Sequence, residues 1–451
     1  MAVKKRMRSS KARTILFMSL LVAAVPCMNV SLAEPLAAKT SEADMYKPAP
    51  IPDRIILNWN GDPATTQAVT WRTDVSITAP QAQIAVAEDS TAFKDKAVTI
   101  MAVSSSEVQG NQPYTAKFHT VRFEHLIPNT KYVYRVGDGV NWSEWFEFST
   151  ASDKAEPFSF LYIGDIQHDI LEHGSRVIRR AYSDHPEAKF IIHAGDLVDR
   201  GDADEQWGEW FKAGGWINGM VPSIATPGNH EYERIEPGAK KGLSPYWRPQ
   251  FALPENGPAG LEETVYYTDY QGMRIISLNT NTKFVKLDTQ AAWLEQVLAN
   301  NPNQWTVLTF HHPIFANSPD RDNAEVREKL LPLIEKYNVD LVLQGHDHSY
   351  ARGHIDNLTP GTNGQSAGSG TVFVVSFAGT HMKELSDKNW TDNGAQVDHS
   401  LANTQLYQII RVDGGVMKYE AHTATGSLFD GFEIHKSPSG EKQISPLLSS
   451  P

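Results

Sequence analysis

The chain has 451 residues, 41% of them hydrophobic, with 41 basic and 53 acidic side chains and a single cysteine. That length is too great for one small core and suits two domains, one about twice the size of the other. A formal charge of -12 argues against nucleic acid as a partner, since such binding is dominated by Lys and Arg contacts to phosphate, and one cysteine excludes a disulfide framework.

Lys4, Lys5, Arg6, Arg8, Lys11 and Arg13 precede the apolar run Thr14 to Pro26, and Ser31-Leu32-Ala33 offers small residues for a signal peptidase. Residues 1–33 are therefore read as a cleaved secretory signal. The apolar run is well short of the roughly 20 residues that span a bilayer, so no stable membrane anchor is expected. Pro26 argues against lipid modification of Cys27. Cleavage after Ala33 removes the only cysteine and six of the 41 basic residues, leaving 35 against 53 acidic ones, a charge of -18. An exported chain without disulfides points to a bacterial periplasmic or secreted protein.

Residues 34–53 are rich in Ala and Pro, without periodicity, and read as a linker on which few contacts depend. From 54 to 150 short β-branched and aromatic runs recur between turn signals: Ile55 to Leu57, Ala68 to Arg72, Gln83 to Ala87, Thr115 to Phe123, Lys131 to Gly137 and Trp145 to Phe148. These predict an all-β sandwich. The stretch Leu126 to Val136 and Trp71 resemble a fibronectin type III-like sandwich.

Beyond Pro157 apolar runs alternate with helix-period segments, predicting an α/β domain over 157–430. Strands are expected at Phe158 to Ile163, Phe190 to Ala194, Pro222 to Thr226, Met273 to Asn279, Gln304 to Phe310 and Val339 to Leu343, and helices near Glu172 to Ser183, Asp288 to Asn300 and Asn323 to Tyr337. Thr371 to Phe377, Gln405 to Val412 and Val416 to His422 look antiparallel and complete a second sheet. The fold class expected is thus a sandwich followed by two packed mixed sheets flanked by helices. Residues 431–451 read as a loose tail.

Five segments at strand ends carry the chemistry. Gly164-Asp165-Ile166-Gln167 and Gly195-Asp196-Leu197-Val198-Asp199 place carboxylates where the strands of an α/β sheet meet their ligands. Asp196 has two oxygens with which to bridge two cations. Gly228-Asn229-His230-Glu231 offers an amide oxygen beside an imidazole; the ordinary alternative is a helix cap at Asn229. His311-His312-Pro313 ends a very apolar strand, and Gly345-His346-Asp347-His348 spaces two histidines to reach different metals. Each segment alone has a structural explanation, but five such coincidences in one domain do not. Carboxylate, imidazole and amide without thiolate suit Mn, Fe, Zn or Mg, as two divalent or mixed-valence ions. A pair of such ions activates water and clamps an in-line displacement, which makes hydrolysis of a phosphoester the reaction class.

The series GDIQ, GDLVDRG, GNHE, HHP and GHDH resembles the calcineurin-like metallophosphoesterase superfamily, and with the preceding sandwich its purple acid phosphatase branch. The resemblance implies that Asp165 and His348 hold a first metal, Asp196 bridges, and Asn229, His311 and His346 hold a second. It implies that His230 faces the substrate as the catalytic residue, and that Glu231, His193, His312 and Asp347 orient ligands by hydrogen bonds. Two departures stand out. Asp199 occupies the position of the colour-giving Tyr, so a colourless protein without obligate ferric iron is expected. Gln167 stands where many superfamily members have a His ligand.

Tyr350, Arg352 and His381 are candidate substrate contacts, while Trp207, Trp210 and Trp216 read as core. The substrate expected is a small phosphomonoester. A phosphodiester or nucleotide pyrophosphate is the alternative for the same centre, and a non-enzymatic surface-binding protein is the rival outside enzymes.

Overall fold

The computed structural model describes residues 40–233, 240–355 and 370–447. The leader lies outside them, as do residues 34–39 of the linker and 448–451 of the tail. No described helix is long and apolar enough to cross a membrane.

Residues 53–149 form two four-stranded antiparallel sheets. One runs Asp53–Asn58, Gln67–Thr73, Thr115–Phe123, Ser104–Gln109, and the other Val98–Met101, Gln81–Val86, Lys131–Gly137, Phe146–Ser149. Alternate residues of both close on Val69, Trp71, Ile84, Val121, Phe123, Tyr134 and Phe148. The runs Val98–Met101 and Ser104–Gln109 escaped the sequence reading because they are edge strands with almost every side chain exposed, so they lack an alternating pattern.

His119 is fully buried there, with Thr73 Oγ1 on Nε2 and Ser105 Oγ on Nδ1, each at 2.8 Å. Burial, helped by Lys117, pushes its imidazole down to about 4. A histidine depressed in the folded state binds its proton more readily when unfolded, so its contribution is complete above the unfolded value near 6.5 and is lost as pH falls toward 4. Denaturant unfolding at pH 5 should therefore show about 2 kcal/mol less stability from this residue than at pH 7.5. A His119→Gln protein should lack that part of the slope; an equal slope in both proteins would refute the assignment.

Two seven-stranded mixed sheets follow. In the first, Ser223–Ala225, Ile191–His193 and Phe158–Ile163 are parallel, and Leu406–Asp413, Val416–Thr423, Leu428–Lys436 and Lys442–Pro446 continue it antiparallel. The second runs Tyr266–Tyr270, Met273–Ser277, Trp305–Thr309, Leu341–Gln344, Val372–Val375, Tyr350–Ile355, Ala395–Leu401. Phe160, Tyr162 and Ile410 of the first meet Ile275, Val307, Leu343 and Val374 of the second in one core. Helices Ser175–Asp184 and Asp204–Gly214 pack on the first sheet, and Leu287–Ala299 and Ala324–Lys336 on the second.

Three expectations are corrected. The tail from 431 is not loose through its described length: Leu428–Lys436 and Lys442–Pro446 are the outer strands of the first sheet, and buried Phe432 and Ile434 anchor them. The linker is held as well. Tyr46 is 5% exposed, its ring lies against Gly208 where a β-carbon would clash, and its carbonyl accepts from Arg72 Nη2 at 2.9 Å. Trp207 and Trp210 are core, as expected, but Trp216 is 53% exposed.

A buried ionic knot joins sandwich and α/β layers. Asp204, at the start of its helix, receives Arg54 Nη1 (2.7 Å) and Nη2 (2.9 Å), Arg72 Nη1 (3.0 Å) and the Tyr114 hydroxyl (2.9 Å). The second guanidinium charge is balanced by Asp53, which accepts from Arg72 Nε (2.8 Å) and Nη2 (2.6 Å).

Candidate metal centre

The five motifs converge at the carboxyl ends of the parallel strands. Asp165 follows Phe158–Ile163, Asp196 follows Ile191–His193 and Asn229 follows Ser223–Ala225, while His311 and His346 follow Trp305–Thr309 and Leu341–Gln344 of the facing sheet. Parallel neighbours end at the same level, so five turns from two sheets meet at one floor. The turns are tight. A β-carbon on Gly345 would lie 1.9 Å from Asp165 Oδ1, and one on Gly195, whose φ is +91°, would lie 2.8 Å from His311 Nδ1. Asp196, His346 and His348 have φ of 49°, 76° and 54°, a left-handed backbone that costs energy and is held by the surrounding bonds.

Two clusters form, and Asp196 belongs to both. Asp196, His311 and His346 present ligand atoms within 4.8 Å of one another, as do Asp165, Asp196 and His348. Asp196 Oδ2 lies 3.1 Å from His311 Nε2, which is itself 3.1 Å from Asn229 Oδ1 and 3.0 Å from His346 Nδ1. His348 Nε2 lies 3.5 Å from Asp165 Oδ2. The imidazoles are aimed from behind. His311 Nδ1 donates to the Ala194 carbonyl (3.0 Å) and His348 Nδ1 to the His381 carbonyl (2.6 Å), so each turns its Nε2 toward the cluster.

The electrostatics follow from crowding. Burial drives the Asp165 carboxyl up to about 8, with His311 opposing and Asp196 adding to it. For Asp196 burial also acts upward, but His311 and the hydrogen bonds at its oxygens overcome it and hold the carboxyl below its ordinary range. Burial would lower the His311 imidazole, yet Asp196 and Asp165 lift it to about 9. The residues fit a pair of cations: buried carboxylate, imidazole and amide donors converge without thiolate, and among the described residues Asp165 Oδ1 and Gln167 Oε1 are buried with no hydrogen-bond partner.

Gln167 joins the first cluster. Its Nε2 lies 2.9 Å from His348 Nε2 and 3.1 Å from Asp196 Oδ2, and rotation about its last side-chain bond puts the unpartnered oxygen in the same place. If it is a ligand, Gln167→Ala should weaken metal binding at one of two sites by at least the roughly 10- to 100-fold that follows loss of a supporting group, and Gln167→His should tighten it. Equilibrium dialysis with Mn2+ reads this directly, and unaltered binding in Gln167→Ala would exclude the role.

His230 lies beside the carboxylate shared by the two clusters. Its Nδ1 donates to the Asp199 carbonyl at 2.6 Å and lies 3.2 Å from Asp199 Oδ1, while Nε2 lies 3.9 Å from Asp196 Oδ2. Burial lowers its imidazole, but Asp196 and Asp199 outweigh that and leave it raised. Asp199 thus faces His230 and also His168 (3.4 Å), not the ligand clusters.

Glu231, expected to orient ligands, grips the backbone: Oε2 accepts from Asp196 N (2.9 Å) and Gly228 N (2.7 Å), and Oε1 from Leu197 N (2.8 Å). Asp347 accepts from Asn317 N and from Arg321 Nη1, both at 2.6 Å. His312 contacts Thr280 Oγ1 at 3.0 Å and packs on His346. His193 departs from the expectation. It touches Ser223 Oγ at 3.5 Å and packs on Trp210, with no hydrogen bond to a ligand among the described residues.

Tyr350 and Arg352 are not placed to contact substrate. Both are buried and spend their polar atoms on Asp430, by the Tyr350 hydroxyl (2.7 Å) and Arg352 Nε (2.7 Å), with Arg352 Nη1 on Asp398 (2.7 Å). Their strand continues from the His348 turn into the sheet, which carries their side chains away from the floor. His381 is at the centre, its ring stacked on His168 with centroids 3.8 Å apart. His168 was missed, although it directly follows Gln167. Arg321 and Lys383 were missed too, because they reach the floor from loops with no motif.

Residues 158–350 match the calcineurin-like phosphoesterase family, and residues 52–150 match the purple acid phosphatase N-terminal domain. The chain joins a purple acid phosphatase N-terminal domain to a calcineurin-like phosphoesterase domain. Acid phosphatase type 7 of Homo sapiens is 26% identical over 340 residues, covering 69% of this chain and 73% of its own. Purple acid phosphatase 23 of Arabidopsis thaliana is 26% identical over 270 residues, covering 52% and 57%. An uncharacterised protein of Mycobacterium tuberculosis is 25% identical over 344 residues; the match takes in 66% of this chain but only 61% of that relative's length. In fold, the chain resembles the purple acid phosphatase PPD1 of yellow lupin (Lupinus luteus), with a TM-score of 0.70 and 18% identity over 86% of this chain and 75% of that one. It also resembles PhoD, with a TM-score of 0.62 and 14% identity over 89% and 93%. Purple acid phosphatase-like phosphoesterases use two metal ions, and the two clusters sharing Asp196 are where this chain offers to hold them.

Proposed function

We propose that the protein is an exported two-metal phosphoester hydrolase that acts chiefly on phosphomonoesters. The observation that carries this reading is the pair of clusters sharing buried Asp196, with His230 Nε2 3.9 Å from its carboxylate. Asp165, Gln167 and His348 would hold one cation, Asn229, His311 and His346 the other, with Asp196 between. Such cations, when bound, make water a stronger nucleophile and offset charge on the phosphoryl oxygens. The chain supplies the rest. Asp199 fixes His230 through Nδ1, so that Nε2 faces the phosphoryl group and gives a proton to the departing oxygen. Glu231 holds the Asp196 and Gly228 turns at one separation, so the two clusters keep their spacing.

Beside His312 and His346 lies a cleft of about 1700 Å3, whose volume favours a second reading, a phosphodiesterase, since a further ester group has room. Protein stripped of metal and reloaded with Mn, Zn or Fe should hydrolyse 4-nitrophenyl phosphate with a kcat/KM at least about tenfold above that for the bis ester. The reverse ratio would favour the diesterase, and no turnover of either ester with any metal would refute the hydrolase. Export rests on the basic and apolar leader; recovery of a mature chain beginning at Glu34 outside the cytoplasm is the expected result.

A further inference from the structure

One stretch of chain meets every residue of the first cluster except the shared Asp196. After the strand Val372–Val375 the ring of Phe377 lies on that of His348, with centroids 4.5 Å and planes 14° apart, and Ala378 N donates to the Asp165 carbonyl at 2.9 Å. Gly379 passes so close to Gln167 that a β-carbon on it would lie 2.9 Å from the Gln167 carbonyl oxygen. The His381 carbonyl then accepts from His348 Nδ1 (2.6 Å), and Lys383 N donates to the His348 carbonyl (3.2 Å). Among the described residues no hydrogen bond from 377–383 reaches Asn229, His311 or His346.

The ends of this stretch are tied to their surroundings: the Phe377 and Ala378 carbonyls accept from Leu406 N (3.1 Å) and Gln405 Nε2 (2.8 Å), and Ser386 N donates to the Asn317 carbonyl (2.9 Å). Its middle is latched to the turn that follows Gln167. The His168 ring stacks on that of His381, with centroids 3.8 Å and planes 29° apart, and Thr380 Oγ1 donates to Asp169 Oδ2 at 2.9 Å. His168 and Asp169 both have a left-handed backbone, with φ of 69° and 50°, a strained pair that the contacts of this turn hold in place. Asp169 and His381 are exposed, whereas Asp165, Gln167 and His348 beneath them are buried. We propose that the stack of His168 on His381 positions His348 and Gln167 for the first cation, and leaves the donors of the second cation alone. His168 is then a positioning residue, acting through the His381 carbonyl on His348 and through its own turn on Gln167. The proposal rests on the two-cation reading above and says how one of the two is held. A donor free to swing must be ordered when the cation binds, so losing the group that aims it lowers affinity.

Calorimetric titration of Mn2+ into the metal-stripped protein tests this. His168→Ala should weaken one of two binding steps about tenfold, and leave the other step and the melting temperature in chelator unchanged. His168→Phe keeps a stacked ring, gives up the 3.4 Å contact with Asp199 Oδ1, and should bind both cations as the wild-type protein does. Asn229→Ala identifies the step, because it removes a donor of the other cluster: combined with His168→Ala it should weaken both. Two unchanged steps in His168→Ala, two equally weakened ones, or a Phe variant no better than the Ala one would overturn the proposal. A wild-type protein that takes up fewer than two cations would remove the two-cation reading itself, and the latch with it.

Discussion

Asp196→Asn should lose both activity and metal, with kcat for a phosphomonoester falling about a thousandfold or more. Each cation offsets several kcal/mol of transition-state charge, and 4 kcal/mol is already close to three decades in rate. Asp196 is the one residue common to both clusters, so the change acts on both cations together. It should not unfold the chain. Asn keeps the oxygen that accepts from His230 N at 2.9 Å, and removing a charge that is 1% exposed relieves a desolvation cost. Metal analysis, phosphatase assay and thermal melting in chelator, run on the same preparation, check all three parts. A variant with two metals per chain and wild-type kcat would show that the shared carboxylate does not bridge.

His230→Gln separates proton transfer from metal binding. A positioned acid contributes roughly 10^2 to 10^4 in rate, and the gain is greatest where the leaving oxygen most needs a proton. The expected result is a fall in kcat of two decades or more for an alkyl phosphate, a smaller fall for 4-nitrophenyl phosphate whose leaving group is already a stable anion, and unchanged metal content. Equal falls for both esters would make His230 an electrostatic contact and remove its role as acid. Asp199→Ala keeps the backbone carbonyl that accepts from His230 Nδ1 at 2.6 Å and deletes only the carboxylate at 3.2 Å, so its effect should be much the smaller.

The ligand positions were legible because each sits two to four residues past the end of a buried strand, and a strand's length fixes where its turn begins. Asp165, Asp196, Asn229, His311 and His346 all obey that rule. Tyr350 and Arg352 mark its limit. Tyr350 lies as close in sequence to His348 as Gln167 does to Asp165, and Arg352 two residues further on, but a new strand begins at Tyr350 and turns both side chains toward Asp430. The edge strands Ser104–Gln109 and Lys442–Pro446 were illegible for a related reason: pairing with a neighbour, more than any pattern of their own, holds them in the sheet.

The sequence by itself determined the donor types, their order and the exclusion of thiolate, because these are properties of single residues next to recognisable strands. Only the tertiary structure decided that Asp196 is shared, that Asp199 turns to His230 and His168, and that His168 stacks on His381. Those relations join residues on different strands and loops, and their distances exist only once two sheets have packed face to face.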